Sequence, residues 1–196
     1  MIRRWRHCGV WHRGVWHRGS AALTALMLLV PLWLALTAPG APVPHAPDRP
    51  ALPADPTARI DRILVEKAAR RLTTFRVGQV VRVYRVALGS SPLGDKARQG
   101  DGRTPEGLFR INRRNDASAF HLSLGLDYPQ PADIATARAG GYDPGGDIFL
   151  HGQPNALPSG VTLWRDWTAG CIALSDAEIE ELWRAAALGT QVEIRP

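Results

Sequence analysis

From Arg59 onward the chain reads as short apolar bursts cut by turns, the pattern of strands rather than of long helices. Arg62–Glu66 holds a compact apolar run, Arg71–Phe75 has strand composition, and Val80–Leu88 alternates in part and is rich in β-branched residues. Gly78 supplies a turn between the last two, so the domain opens as a β-meander. Gly89–Gly102 is a polar loop, and Gly107–Ile111 a short strand after a Thr104–Gly107 turn. Phe120, Leu122 and Leu124 alternate against His121 and Ser123. Prolines and glycines punctuate 127–147, leaving room for a short helix over Pro131–Arg138. Ile148–Leu150 is an apolar strand that delivers His151 to its end.

One helix is clearly written. Ser175 and Glu178 form a capping box: the serine oxygen accepts from the N–H three residues on, and the glutamate reaches back. Ile179, Leu182, Trp183 and Ala186 follow at helical spacing, Gly189 is expected to close the helix, and Gln191–Ile194 makes a final strand. The expected fold class is mainly β, with one clear helix after the cysteine at 171. No long repeat points to a solenoid.

The 196 residues leave room for one domain and appendages. A net charge of +6 invites a nucleic-acid reading, but its distribution removes it. Residues 1–38 carry five arginines (Arg3, Arg4, Arg6, Arg13, Arg18) and no acid, leaving 19 basic against 18 acidic residues beyond. No nucleic-acid partner is expected, because the basic excess reads as a targeting signal. Ala21–Ala38 has no charge over eighteen residues, just enough at ~1.5 Å per residue for a hydrocarbon core of ~30 Å. Basic residues before the run predict a cytoplasmic N-terminus. Pro39–Pro56, with seven prolines in eighteen residues, reads as a stiff tether. The expected organisation is an export signal or signal anchor at 1–38, a proline-rich linker at 39–57 and a catalytic domain at 58–196. The protein is then periplasmic or in the cell envelope, and held to the membrane by 21–38 if the segment stays uncleaved.

Candidate chemistry sits between Ile148 and Leu182. Cys171 is the only cysteine beyond the N-terminal segment, and His151 lies twenty positions upstream. A thiol is a good nucleophile as thiolate, so it needs a base or a positive field, and His151 is the base available. The same pair also fits a buried core cysteine and an unrelated histidine, since sequence does not bring them together in space. Export sharpens the choice: if Cys8 stays in the cytoplasm or is removed, Cys171 has no partner in its own chain. Backbone N–H groups of Gly170 and Cys171 are then placed for a developing oxyanion, and Gly152 can offer a carbonyl that fixes the imidazole tautomer. Zinc is the rival, with His121, His151 and Cys171 as ligands, but no short-spaced ligand pair exists. No metal or organic cofactor is therefore expected. Asp143–Asp147 lacks the lysine and helix of a phosphate cradle. His121 reads as a strand histidine whose face can line the cleft. Trp164 and Trp167 fit either core anchors or substrate platforms, and Thr168 supports the turn before Gly170.

At these residues the chain resembles the L,D-transpeptidase catalytic domain family, also called YkuD. The resemblance spans about Arg59 to Ile194, in four blocks: the meander into Val86-Ala-Leu-Gly89, Gly102-Arg-Thr-Pro-Glu-Gly107, Ile148-Phe-Leu-His-Gly152 and Thr168-Ala-Gly-Cys-Ile172. It departs from the commoner signature, with Ala169 in place of a histidine and Ala173 in place of an arginine, and looks like the YafK-type branch. The resemblance implies a β-sandwich-like fold, export, Cys171 as nucleophile and His151 as proton acceptor and donor. It implies peptidoglycan stem peptides as substrate: Cys171 attacks the carbonyl of the third-position diamino acid, releases D-alanine, and passes the thioester to an amine. The acceptor can be a second stem peptide or a cell-wall-attached protein. Water as acceptor makes the same site an L,D-carboxypeptidase or endopeptidase. A non-catalytic cell-wall-binding domain is the reading from another class.

Overall fold

Eight strands and two helices account for residues 59–196, the part of the chain that the computed structural model describes. Residues 1–38 and 39–57, expected to be an export segment and a proline-rich linker, lie outside the described residues. The meander is present as β1 (Ile60–Glu66), β2 (Arg71–Arg76) and β3 (Gln79–Arg85). Val77 and Gly78 both take positive φ at the β2–β3 turn, the geometry that matches strand twist in a two-residue hairpin. Next come β4 (Gly107–Ser118), β5 (His121–Leu126), α1 (Pro131–Gly140), β6 (Phe149–His151), β7 (Ile172–Ala173), α2 (Asp176–Ala185) and β8 (Ala186–Arg195).

The strands follow the order β3-β2-β1-β8-β4-β5-β6-β7. Strand β4 joins two halves: Gly107–Arg110 pairs with β8, and Ile111–Ser118 pairs with β5. The outer edges also meet. Beyond β3, Ala87 exchanges both backbone hydrogen bonds with Ala173 of β7, at 2.8 and 2.9 Å. That contact covers two edges that would otherwise present unpaired N–H and C=O groups. Ile63, Leu72, Ile111, Leu124, Leu150, Ile172 and Ile194 of both halves meet Ile179 and Leu182 of α2 in one core. This is the mainly β, sandwich-like architecture expected.

Three local expectations change. Gly189 does not close α2, which ends at Ala185 with Ala186 as its cap. The chain turns extended there because Ala186 pairs with Ile60 of β1. Ala187–Thr190 then bulges out before Gln191 rejoins Arg62, and Gly189 supplies the positive φ of that bulge. Strand β4 runs seven residues past Ile111 through the polar Asn112–Ser118, where cross-strand pairing with β5 replaces the missing apolar pattern. In β5, His121 sits at φ 61, which breaks the alternation and carries Phe120 onto the ring of His151.

Two side chains, buried Lys67 and half-buried Asp166, hold the loops in place. Lys67 Nζ donates to the carbonyls of Gly94 and Thr104 and pairs with Glu106 at 2.7 Å, anchoring the 94–106 loop. Asp166 accepts from Arg70 and from the backbone N–H of Leu88, fixing the segment before the cysteine against the end of the meander.

Candidate active site

Strand register brings the candidate residues together. Strands β6 and β7 run parallel, with Leu150 beside Ile172 and His151 beside Ala173. Side chains alternate along a strand, so Leu150 and Ile172 enter the core while His151 and Cys171 share the opposite face. Across that face run two rows. Asn115, Ser123, His151 and Ala173 form one, and Arg113, Gly125 and Phe149 form the other, which Cys171 continues just before β7.

Both candidate side chains are withdrawn from solvent, each residue being 1 % exposed. His151 Nδ1 lies 2.7 Å from the carbonyl oxygen of Gly152. A carbonyl only accepts, so Nδ1 carries the proton and Nε2 presents its lone pair. Nε2 is buried and has no hydrogen-bond partner among the described residues. Burial pushes the His151 pKa down to about 4, with the Gly152 hydrogen bond acting the other way. Phe120 and Trp167 enclose the imidazole, with ring centroids 4.7 and 5.7 Å from it.

The Cys171 sulfur lies 3.4 Å from the carbonyl oxygen of Asp147, a residue at φ 56. Cys171 is disulfide-bonded in this structure. Nucleophilic chemistry belongs to the reduced form. The preceding turn is built on Thr168, whose buried hydroxyl donates to the Cys171 carbonyl at 2.7 Å and accepts from the Gly170 N–H at 3.1 Å. The Gly170 N–H, expected to serve a developing oxyanion, is engaged within the turn in this structure. What the position requires is glycine itself, at φ 139, since a Cβ would stand 2.6 Å from the Arg103 carbonyl oxygen.

Gly152 is equally constrained. A Cβ there would stand 2.6 Å from Asp176 Oδ1, at the start of α2. The tryptophans leave the core to others. Trp164 is 36 % exposed beneath the Arg85 guanidinium, and Trp167 lies against His151 and Phe120. His121 Nε2 sits 2.8 Å from Glu180 on α2. Among the described residues no group of three or more His, Cys, Asp or Glu is arranged to hold a metal.

Sequence reasoning missed Gln153 and Arg113. Buried Gln153 donates to the Leu174 carbonyl at 2.6 Å, accepts from Leu163, and gives its own N–H to Asp176. It ties the loop after His151 to the strand carrying the cysteine. Position beside His151 was its only signal. Arg113 lies in a stretch that has no strand pattern, and pairing alone puts it on this face.

Residues 60–194 match the family model of the L,D-transpeptidase catalytic domain, YkuD. The chain belongs to this family. It is 27 % identical over 108 residues to the candidate L,D-transpeptidase YafK of Escherichia coli K12, and equally to that of strain O157:H7. The match covers 54 % of this chain and 37 % of the relative, so the chain spans well under half the length of these curated relatives. The crystal structure of the helical cell shape determining protein Pgp2 from Campylobacter jejuni matches with a TM-score of 0.54 and 23 % identity. It covers 70 % of this chain and 48 % of that one, a likeness of fold.

Proposed function

We propose that the protein is an exported cysteine acyltransferase that remodels peptidoglycan stem peptides through a thioester on Cys171. One observation carries this reading: His151 has its Nδ1 proton committed to Gly152, and a buried Nε2 with no hydrogen-bond partner among the described residues, on the sheet face that bears Cys171. Because burial holds the imidazole neutral near pH 7, Nε2 can accept the Cys171 proton as sulfur attacks. Sulfur bonds to the carbonyl carbon of the third-position residue and the carbonyl oxygen takes the negative charge. When the intermediate collapses, the C–N bond breaks and His151 returns the proton to the leaving amine of D-alanine. An amine of a second stem peptide, or of a cell-wall-attached protein, then attacks the thioester and gives its proton to His151; the C–S bond breaks and His151 returns that proton to the departing sulfur. Water in that step yields a carboxypeptidase instead. In this reading Trp167, whose ring stands against His151, and the exposed Trp164 would exclude water from the bound peptide, which favours the amine.

In this reading residues 1–38 carry the domain out of the cytoplasm, and 39–57 set its reach. A chain beginning near Ala58 is expected to fold and to keep activity when reduced. The deciding experiment is mass spectrometry of muropeptides incubated with that domain. Loss of terminal D-alanine, with a thioester trapped on Cys171, supports the reading. Dimers joined through third-position residues identify transfer, and free tripeptide identifies hydrolysis. Absence of both products and of any adduct at reduced Cys171 would leave a binding domain.

A further inference from the structure

Among the described residues, the face that carries His151 and Cys171 on β5–β7 holds one strand-borne guanidinium, and it does not come from the strands of the candidate residues. Strands β5, β6 and β7 contain no lysine or arginine. Arg113 reaches over from β4. Its partner on β5 is Gly125, and the arginine side chain fills the space above that glycine, where a Cβ would stand 2.4 Å from Arg113 Cγ. Gly125 therefore lets Arg113 cross the sheet. The guanidinium comes to rest 4.5 Å from the centroid of Phe149, in the row that Cys171 continues. One edge meets Asp147 at 2.7 Å, and the backbone carbonyl of Asp147 is the group 3.4 Å from the Cys171 sulfur. The Nε is buried and has no hydrogen-bond partner among the described residues, while the side chain as a whole is 35 % exposed.

An arginine laid on an aromatic ring, steadied on one edge and open to solvent, is a receptor for a carboxylate. We infer that Arg113 is the substrate-binding residue that holds a carboxylate of the peptide beside the scissile bond, orienting its carbonyl toward Cys171. This rests on the stem-peptide reading above and names the group that would recognise the substrate's charge. The carboxylate can be that of the residue bearing the attacked carbonyl or that of the departing residue. The bound anion would share the guanidinium with Asp147 or take its edge.

The test uses the reduced protein and three synthetic stem tetrapeptides: one with both carboxylates free, and two with one or the other amidated. Wild type is expected to lose about tenfold or more in kcat/KM on one amidated peptide, which identifies the carboxylate held. R113A and the volume-preserving R113Q should lose a similar factor on the free peptide, mostly in KM, and should no longer distinguish it from the amidated one. R113K should recover part of the discrimination, since a lysine keeps charge but not the fork. Iodoacetamide alkylation of Cys171 should be the same in wild type and R113Q. Equal discrimination in wild type and variants would overturn the assignment of Arg113 while leaving the functional reading intact. Loss of alkylation in R113Q would overturn it in favour of a structural role. No turnover of any peptide by wild type would overturn both.

Discussion

The Thr168 hydroxyl donates to the carbonyl of Cys171 at 2.7 Å while receiving the N–H of Gly170 at 3.1 Å. One buried oxygen thus fixes the two residues that aim the sulfur. Thr168→Val keeps the shape and removes both bonds, leaving a buried donor and acceptor unsatisfied. It is expected to cost about 1–3 kcal/mol in denaturant unfolding. Turnover should fall with it, and Thr168→Ser should restore most of both. Unchanged stability in the valine variant would mean that water replaces the hydroxyl.

Cys171→Ala should abolish turnover, and Cys171→Ser should lower it on the order of 10³-fold or more, because a hydroxyl is a poor nucleophile without strong activation. His151→Ala should reduce it on the order of 10²–10⁴-fold and slow alkylation of the reduced thiol near neutral pH. Full activity in Cys171→Ala ends the covalent mechanism. An alkylation profile unchanged in His151→Ala separates the two residues chemically.

His151 also makes stability depend on pH. Its pKa is pushed from 6.5 down to about 4 by burial, so the folded protein resists a proton that the unfolded chain accepts. The associated stability is fully present above pH 6.5, is lost as pH falls from there toward 4, and changes no further below. The whole effect is about 3 kcal/mol, from ~1.4 kcal/mol per pKa unit. Denaturant melts of wild type and His151→Gln between pH 7 and pH 4 isolate it, since other groups contribute to both. Parallel curves would show that the imidazole protonates normally in the fold.

Trp164 and Trp167 should respond differently to truncation. Trp164 is 36 % exposed under Arg85, so Trp164→Ala should cost well below the ~3–5 kcal/mol of a core aromatic. It should change the ratio of transfer to hydrolysis. Trp167→Ala should impair turnover more, because its ring walls the His151 imidazole. A large loss of melting temperature in Trp164→Ala would make that ring structural.

The sequence alone determined what depends on neighbours along the chain. Alternation marked the meander, the Ser175–Glu178 pair marked the start of α2, and the apolar run before His151 marked β6. The four ordered blocks were enough to name the family. Tertiary structure decided what depends on pairing across the chain. Asn112–Ser118 is polar enough to pass for a loop, and becomes strand only because β5 lies beside it. Gly189 resembles a helix stop, but Ile60 captures Ala186 first. A free Gly170 N–H follows from the sequence, while the fold turns Thr168 back upon it. Arg113 enters the site only by register, since a residue's place across a sheet follows from hydrogen bonds between strands far apart in sequence. Local pattern records which face a side chain wants. Which other side chains it meets there is fixed by long-range pairing and by the one shared core beneath it.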